Sequence, residues 1–167
     1  MSDFILTRRS IRKFKNQSIS EDLVKYFLEA AMAAPSATNQ QPWQFIVLTD
    51  RKLLDQIPTI HPYTKMILET PLAIIVCGDL EKEKAKGFWV QDCSAATQNI
   101  LLAVHSKGLG AVWCGVYPRE DKVKAIQELL KLPETIIPLS IIPIGYPNEE
   151  KEPSQRYDKN NVHYNGW

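Results

Sequence analysis

One stretch limits the folds open to this chain more than any other. From Phe88 to Lys107 the sequence reads as a single long helix, with Gly108 as its C-terminal stop. Its middle, Cys93-Ser94-Ala95-Ala96-Thr97-Gln98-Asn99-Ile100-Leu101-Leu102-Ala103-Val104, is apolar or small on nearly every side. A helix of that composition is buried all round. A chain of 167 residues supplies one domain with one proper core. Covering every face of such a helix therefore calls for a second subunit, and the small side chains permit close helix–helix approach.

The flanking segments alternate helix and strand. Asp3 to Leu6 opens a short helix. Ser20 is placed as an N-cap, and Leu23, Phe27, Ala30, Ala31 and Ala34 follow at helical spacing until Pro35. Phe45 to Leu48 is an apolar strand, Asp50 caps a short helix from Arg51 to Ile57, and His61 to Lys65 reads as loop. Leu72 to Cys77 is a second strand, ended by Gly78-Asp79. Leu109 to Pro118 reads as a glycine-bracketed strand, in which Gly115 admits either a ligand or a bulge. Glu120 to Lys131 is an amphipathic helix with Val123, Ile126, Leu129 and Leu130 inward. Ile136 to Tyr146 holds the last core strand, and Pro138 and Pro143 assign it an edge or interrupted position. From Pro147 to Trp167 the chain is polar, without an amphipathic period, and ends in Val162-His163-Tyr164-Asn165-Gly166-Trp167. An aromatic terminus of this kind docks on its own core or on a neighbour's.

Charge excludes some functions. Lys and Arg number 20 against 19 Asp and Glu, so no global field draws the protein to nucleic acid or membrane. No run approaches the roughly 20 apolar residues of a membrane span, and the N-terminus is too polar for a signal peptide. Cys77, Cys93 and Cys114 form neither a disulfide framework nor a CxxC pair, which suits a reducing cytoplasm. Lying in apolar stretches, Cys77 and Cys114 read as small buried hydrophobes. His61, His105 and His163 are too scattered for a zinc site.

Against that balance, Arg8-Arg9-Ser10-Ile11-Arg12 stands out. Guanidinium groups match phosphate oxygens as bidentate forks. Residues 8, 10 and 12 share a face in an extended segment, and 8 and 12 share one in a helix, so Arg8, Ser10 and Arg12 can converge on one anion. Taken alone the cluster reads first as a solvated basic turn. Three features favour the anion: a second arginine far along the chain, Arg156, the glycine-bracketed strand, and the loop Pro35-Ser36-Ala37-Thr38-Asn39-Gln40-Gln41-Pro42-Trp43. Small side chains there leave backbone N–H groups accessible, and the amides suit the edge of a heterocycle.

These pieces, in their order, resemble the flavin-dependent nitroreductase family. The likeness runs through Arg8-Arg9-Ser10-Ile11-Arg12-Lys13-Phe14, Ala33 to Phe45, Asp92 to Leu102, Gly108 to Trp113 and Ile144-Gly145-Tyr146-Pro147. The resemblance implies an α+β fold with a mainly antiparallel sheet wrapped by helices, in one domain over residues 1–167. It implies an obligate homodimer with FMN at the interface, the long helix as dimer core, and residues from about 148 to 167 extending onto the partner's sheet. By position, Arg8, Arg9, Ser10 and Arg12 match the N-terminal flavin contacts and Arg156 the late phosphate-binding arginine. Pro35, Ser36, Ala37, Asn39 and Gln41 match the loop that reaches the flavin from the partner. Cys114 and Gly115 match the pair whose backbone lies by the isoalloxazine, and Lys65 stands where it could replace a basic flavin contact. Cys114 replaces an acidic residue common in the family, Ser154 replaces a basic one, and the segment from Asp50 to Pro71 is short.

The implied activity is an NAD(P)H-dependent flavin oxidoreductase. NADH or NADPH donates hydride and leaves, and a nitroaromatic or quinone-like acceptor enters the same site. No side chain is assigned an acid–base role; Arg12 tunes the ring, while Arg8 and Arg156 hold the phosphate. Alternatives are another acceptor (an enone, a halogenated aromatic, oxygen), a flavin carrier without turnover, and a small RNA-binding module. Balanced charge and the lack of an aromatic RNA-binding motif oppose the last.

Overall fold

The computed structural model describes residues 4–167. Among these, five strands form one antiparallel sheet: β1 (Trp43–Leu48), β2 (Leu72–Asp79), β3 (Gly110–Ala111), β4 (Cys114–Gly115) and β5 (Ile136–Gly145). The order is β1-β2-β5-β3, with β4 also pairing with β5. Six helices surround it: α1 (Phe4–Thr7), α2 (Glu21–Met32), α3 (Arg51–Leu54), α4 (Ile57–Ile60), α5 (Trp89–Ser106) and α6 (Glu120–Leu130). The fold is thus the α+β arrangement expected. Asp3, placed at the start of the first helix, lies outside the described residues.

Strand alternation separates two cores. Ile74, Val76, Ile142 and Ile144 face α2 and α5, packing with Phe27, Ala31 and Ile100. Ile75 and Ile141 face the other way, packing with Leu54, Ile57, Ile67 and Ile126. Every residue of β2 is buried, because both faces of that strand are covered. The helix caps follow the sequence: Ser20 Oγ accepts from Leu23 N–H, and Asp50 Oδ1 from Lys52 N–H at 2.8 Å.

Several expectations are corrected. Of the two positions open to β5, the edge is ruled out and the interrupted one holds: β2 flanks it on one side and β3 and β4 on the other. Its prolines are tolerated because each sits at an interruption. Pro138 lies beside the register shift at Val76/Cys77, and Pro143 falls between the positions paired to β3 and β4. The segment from Leu109 to Pro118 is two short strands rather than one, parted by Val112-Trp113. β2 runs through Gly78-Asp79 instead of ending before them, and the helix after Asp50 is two pieces, α4 carrying Pro58 in its first turn. The segment after His61 is not irregular loop but 3₁₀ helix over Pro62–Glu69.

α5 matches its expected span, but its own chain does not bury it all round. Trp89, Cys93, Ala96, Ile100, Leu101 and Val104 are buried, whereas a stripe from Gln91 through Ser94, Ala95 and Gln98 to Leu102 is exposed or half-buried. The tail finds no seat on its own core either. Tyr157 and Tyr164 are more than four-fifths exposed and Trp167 fully so. His163 and Trp167 stack on each other, with centroids 4.2 Å apart.

Two glycines admit the N-terminal segment to the sheet. A Cβ on Gly110 would lie 2.7 Å from Ile11 Cβ, and one on Gly145 would lie 2.8 Å from Phe14 Cδ1. Ile11 and Phe14 are buried there. Gly110→Ala and Gly145→Ala should each lower stability by about 1–3 kcal/mol, the usual range for overpacking. At Gly115 a Cβ meets nothing within 4 Å, so Gly115→Ala should stay within about 0.5 kcal/mol of wild type. Urea midpoints at constant m-value distinguish the three.

Candidate functional site

The N-terminal segment is laid down as a short extension of the sheet. Ser10 bridges Ala111 in parallel fashion, Phe14 bridges Pro147, and Ile11 N–H donates to Ala111 C=O at 3.0 Å. An ion pair from the start of the tail clamps it from outside. Glu149 Oε1 accepts the Arg12 N–H at 2.5 Å, Lys151 Nζ donates to Ser10 C=O at 2.8 Å, and the two side chains meet at 3.1 Å. Burial favours the protonated carboxyl at Glu149, but the Arg12 N–H and Lys151 prevail and hold it below the usual range. Buried Ile11 and Phe14 thus point inward, while Arg12 between them stays exposed.

The arginines gather as the sequence suggested. Arg8 is half-buried, and its Nη1 is fully buried without a hydrogen-bond partner. Burial lowers its pKa, and the positive charges of Arg156 and then Arg9 lower it further. Residues 148 positions apart therefore share one electropositive locality. An orphaned buried donor amid like charges is the arrangement that an anion completes. His105, near the end of α5, lies beside it: Nε2 is 2.9 Å from Thr7 Oγ1, and burial followed by the charge of Arg8 lowers its pKa. The charge of Arg12 is felt on β4, where it draws the Cys114 thiol back toward its ordinary value against the larger effect of burial. Gly115, next along, is exposed, and its carbonyl accepts from His61 Nε2 at 2.8 Å. In an extended strand a residue's N–H and C=O lie on one side, so Gly115 presents both away from β5.

The loop after α2 is equally defined. Ala37–Asn39 is a 3₁₀ turn, and Thr38, Asn39 and Gln41 adopt left-handed φ of 50°, 54° and 48°. Gln41 N–H donates to Ser36 Oγ, and Gln41 Nε2 to Asn39 Oδ1, both at 3.0 Å. Pro35, Thr38, Asn39 and Gln41 are exposed. Beneath them, Asp92 accepts from Ala37 N–H at 2.9 Å and from Gln40 Nε2 at 2.6 Å.

The structure thus brings Arg8, Arg9, Ser10, Arg12, Arg156, Cys114 and Gly115 into one region. It does not bring the loop to the arginines. The loop is tied to Asp92 at one end of α5, and Arg8 lies by His105 at the other. The anchors lie thirteen positions apart, roughly 20 Å at the helical rise. Lys65 is exposed on the 3₁₀ segment. Sequence reasoning missed His61, Gln40, Glu149 and Lys151, and took Asp92 only as part of a motif. For Asp92 there was a usable signal, a lone carboxylate on an otherwise small and apolar helix.

Among the described residues no three His, Cys, Asp or Glu side chains could hold a metal, and no helix is long and apolar enough to cross a membrane. Comparison with known proteins gives one consistent family. The model described as the nitroreductase family matches residues 5–70 and 61–146. A Methanothermobacter thermautotrophicus protein with the provisional name NADH dehydrogenase/NAD(P)H nitroreductase is 52% identical over 163 residues, 98% of this chain and 85% of its own. A crystal structure of a provisionally named NADH oxidase from Clostridium acetobutylicum superposes with a TM-score of 0.96 at 42% identity, over 99% of this chain and all of that one. The FMN-dependent nitroreductase of Clostridium difficile R20291 does so with a TM-score of 0.91 at 34% identity, over both chains entire.

The cysteines yield a test of the site's electrostatics. Burial pushes the Cys77 thiol up to about 12 and raises Cys93 as well. Cys114 is pushed up to about 11, the burial effect being partly offset by Arg12. The reactive thiolate is therefore scarce at neutral pH. Native protein treated with iodoacetamide at pH 8 should keep three unmodified thiols by mass spectrometry, and unfolding should expose all three. As pH rises toward 11, Cys114 should react before the others.

Proposed function

The chain belongs to the nitroreductase family, and we propose that it is an FMN-dependent oxidoreductase that takes hydride from NADH or NADPH and passes it, in ping-pong order, to a nitroaromatic or quinone-like acceptor. The observation that carries this reading is the buried, partnerless Nη1 of Arg8 beside Arg9 and Arg156. A terminal phosphate, as FMN carries, offers three charged acceptor oxygens to such a cluster. When bound, FMN supplies the ring that accepts and returns hydride. Arg8 and Arg156 would hold its phosphate. Arg12, whose charge reaches Cys114, would stand as a fixed cation near the ring, favouring negative charge there. Gly115 would offer bare backbone beside it.

The reading extends to a homodimer. The loop bearing Pro35, Ser36, Ala37, Asn39 and Gln41 cannot serve the arginines of its own chain, since α5 holds the two apart. A second copy packed antiparallel along the open stripe of α5 would set each loop against the other's arginines. The exposed aromatics of the tail would gain a seat on the same partner. Obligate interfaces of this kind bury more than about 2,000 Å².

Purified protein should be yellow, bleach on NADH or NADPH, and release all its flavin as FMN on denaturation. Release of FAD, or failure to reconstitute with FMN, overturns the reading. Light scattering at micromolar concentration should give a dimer. Among variants, Arg8→Ala should weaken FMN binding and leave the potential of FMN-saturated protein nearly unchanged. Arg12→Ala should lower that potential, by about 30 mV for each 1.4 kcal/mol of lost stabilisation of the reduced form. Redox titrations at a single pH separate the two roles, and equal shifts in both variants would refute the assignment of Arg12.

A further inference from the structure

We propose that Asp92 is a positioning residue of the redox site: its buried carboxylate holds the loop around Ala37 and Gln40 in the shape that meets the flavin. This rests on the FMN reading above, and concerns a side chain to which that reading gives no part.

Asp92 is 4% exposed. Among the described residues it forms no ion pair with Lys, Arg or His. Burying a carboxylate is costly unless its oxygens are satisfied. Here they are satisfied by the loop: Oδ1 accepts the Ala37 N–H and Oδ2 accepts Gln40 Nε2. Gln40, itself 6% exposed, is engaged at both ends of its amide, because its Oε1 accepts the N–H groups of Lys84 at 2.8 Å and Ala85 at 2.9 Å. One chain of hydrogen bonds therefore runs from the first turn of α5 through the loop to the turn that precedes α5.

The loop needs such a hold. Thr38, Asn39 and Gln41 all carry left-handed backbone without being glycine. Strained conformations persist only where the surroundings over-determine them. The bonds inside the loop, from Gln41 to Ser36 and to Asn39, close it on itself without anchoring it elsewhere. Asp79 N–H to Pro42 C=O, at 2.7 Å, fixes the loop's far end on β2, and the bonds to Asp92 and through Gln40 fix its strained middle to α5 and the turn before it. Were packing alone at stake, an apolar side chain would serve at this position without a desolvation cost.

The test reverses the donor and acceptor between positions 40 and 92. Asp92→Asn leaves its amide NH₂ facing a donor in either orientation, Gln40 Nε2 or the Ala37 N–H. Gln40→Glu sets two carboxylates face to face. The double variant restores one donor and one acceptor in the opposite sense, and leaves acceptors for Ala37, Lys84 and Ala85. FMN titration of apoprotein, well below the unfolding temperature, should show each single variant binding at least tenfold more weakly. The double variant should recover to within threefold of wild type, and hydride uptake from NADH by FMN-saturated protein should follow the same order. FMN affinity within twofold of wild type in both folded single variants overturns the proposal, as does a folded double variant no better than the singles. If neither single variant folds, the double variant decides alone: folded and binding FMN supports the proposal, folded without binding overturns it, and unfolded shows an architectural role and also overturns it. A wild type that takes up no FMN overturns the preceding reading instead.

Discussion

Burial of Ile11 and Phe14 is the contact on which the electropositive side of the molecule depends. Each sits where a glycine has removed the competing Cβ, Gly110 under one and Gly145 under the other. Full burial of such side chains contributes about 1.5–3 kcal/mol each. That gain is set against a term of the opposite sign, the mutual repulsion of Arg8, Arg9 and Arg156. In water such repulsion is about 1 kcal/mol for unit charges 4 Å apart, and it grows as water is excluded. Hydrophobic anchoring of the segment therefore holds together a set of charges that would otherwise disperse. The Glu149–Lys151 pair adds hydrogen bonds to the backbone on either side of Ile11, so the start of the tail and the N-terminal segment are ordered together.

α5 acts as a spacer as well as a core element. Its first turn carries Asp92 under the loop, and its last turn carries His105 beside Arg8. A rigid helix between the two makes a single chain hold two separated half-sites. The same helix leaves a stripe of small and polar side chains open, and the tail leaves its aromatics in solvent. Incomplete burial and the divided site have a common resolution in the proposed dimer. The polar networks differ in kind at the two ends. At the loop end every oxygen of Asp92 and Gln40 is engaged, which fixes shape; at the arginine end a donor is left over, which invites a ligand.

Membership of the nitroreductase family was legible in the order of short motifs, and the secondary structure was legible wherever a period ran long enough. α2, α5 and α6 were placed within a residue or two, because side chains that must face a core recur at helical spacing. The arginine cluster was visible as three guanidinium groups in five residues against a neutral background. The errors fall where hydrogen bonding rather than side-chain pattern sets the structure. Pro138 and Pro143 left an edge or an interrupted position open; only register decided for the second, with β5 interior, a register shift beside Pro138, and Pro143 at the gap between β3 and β4.

What the sequence alone determined is local: which segments bury a face, which residues cap, which charges cluster. What only the tertiary structure decided is pairing across long separations. His61 reaches Gly115 across 54 residues, Asp92 reaches Ala37 across 55, and Lys151 reaches Ser10 across 141. Periodicity and composition report the environment of a residue averaged over its own turn or strand. A hydrogen bond needs one atom within about 3 Å of another in a favourable direction, and for distant residues that is set by topology and register.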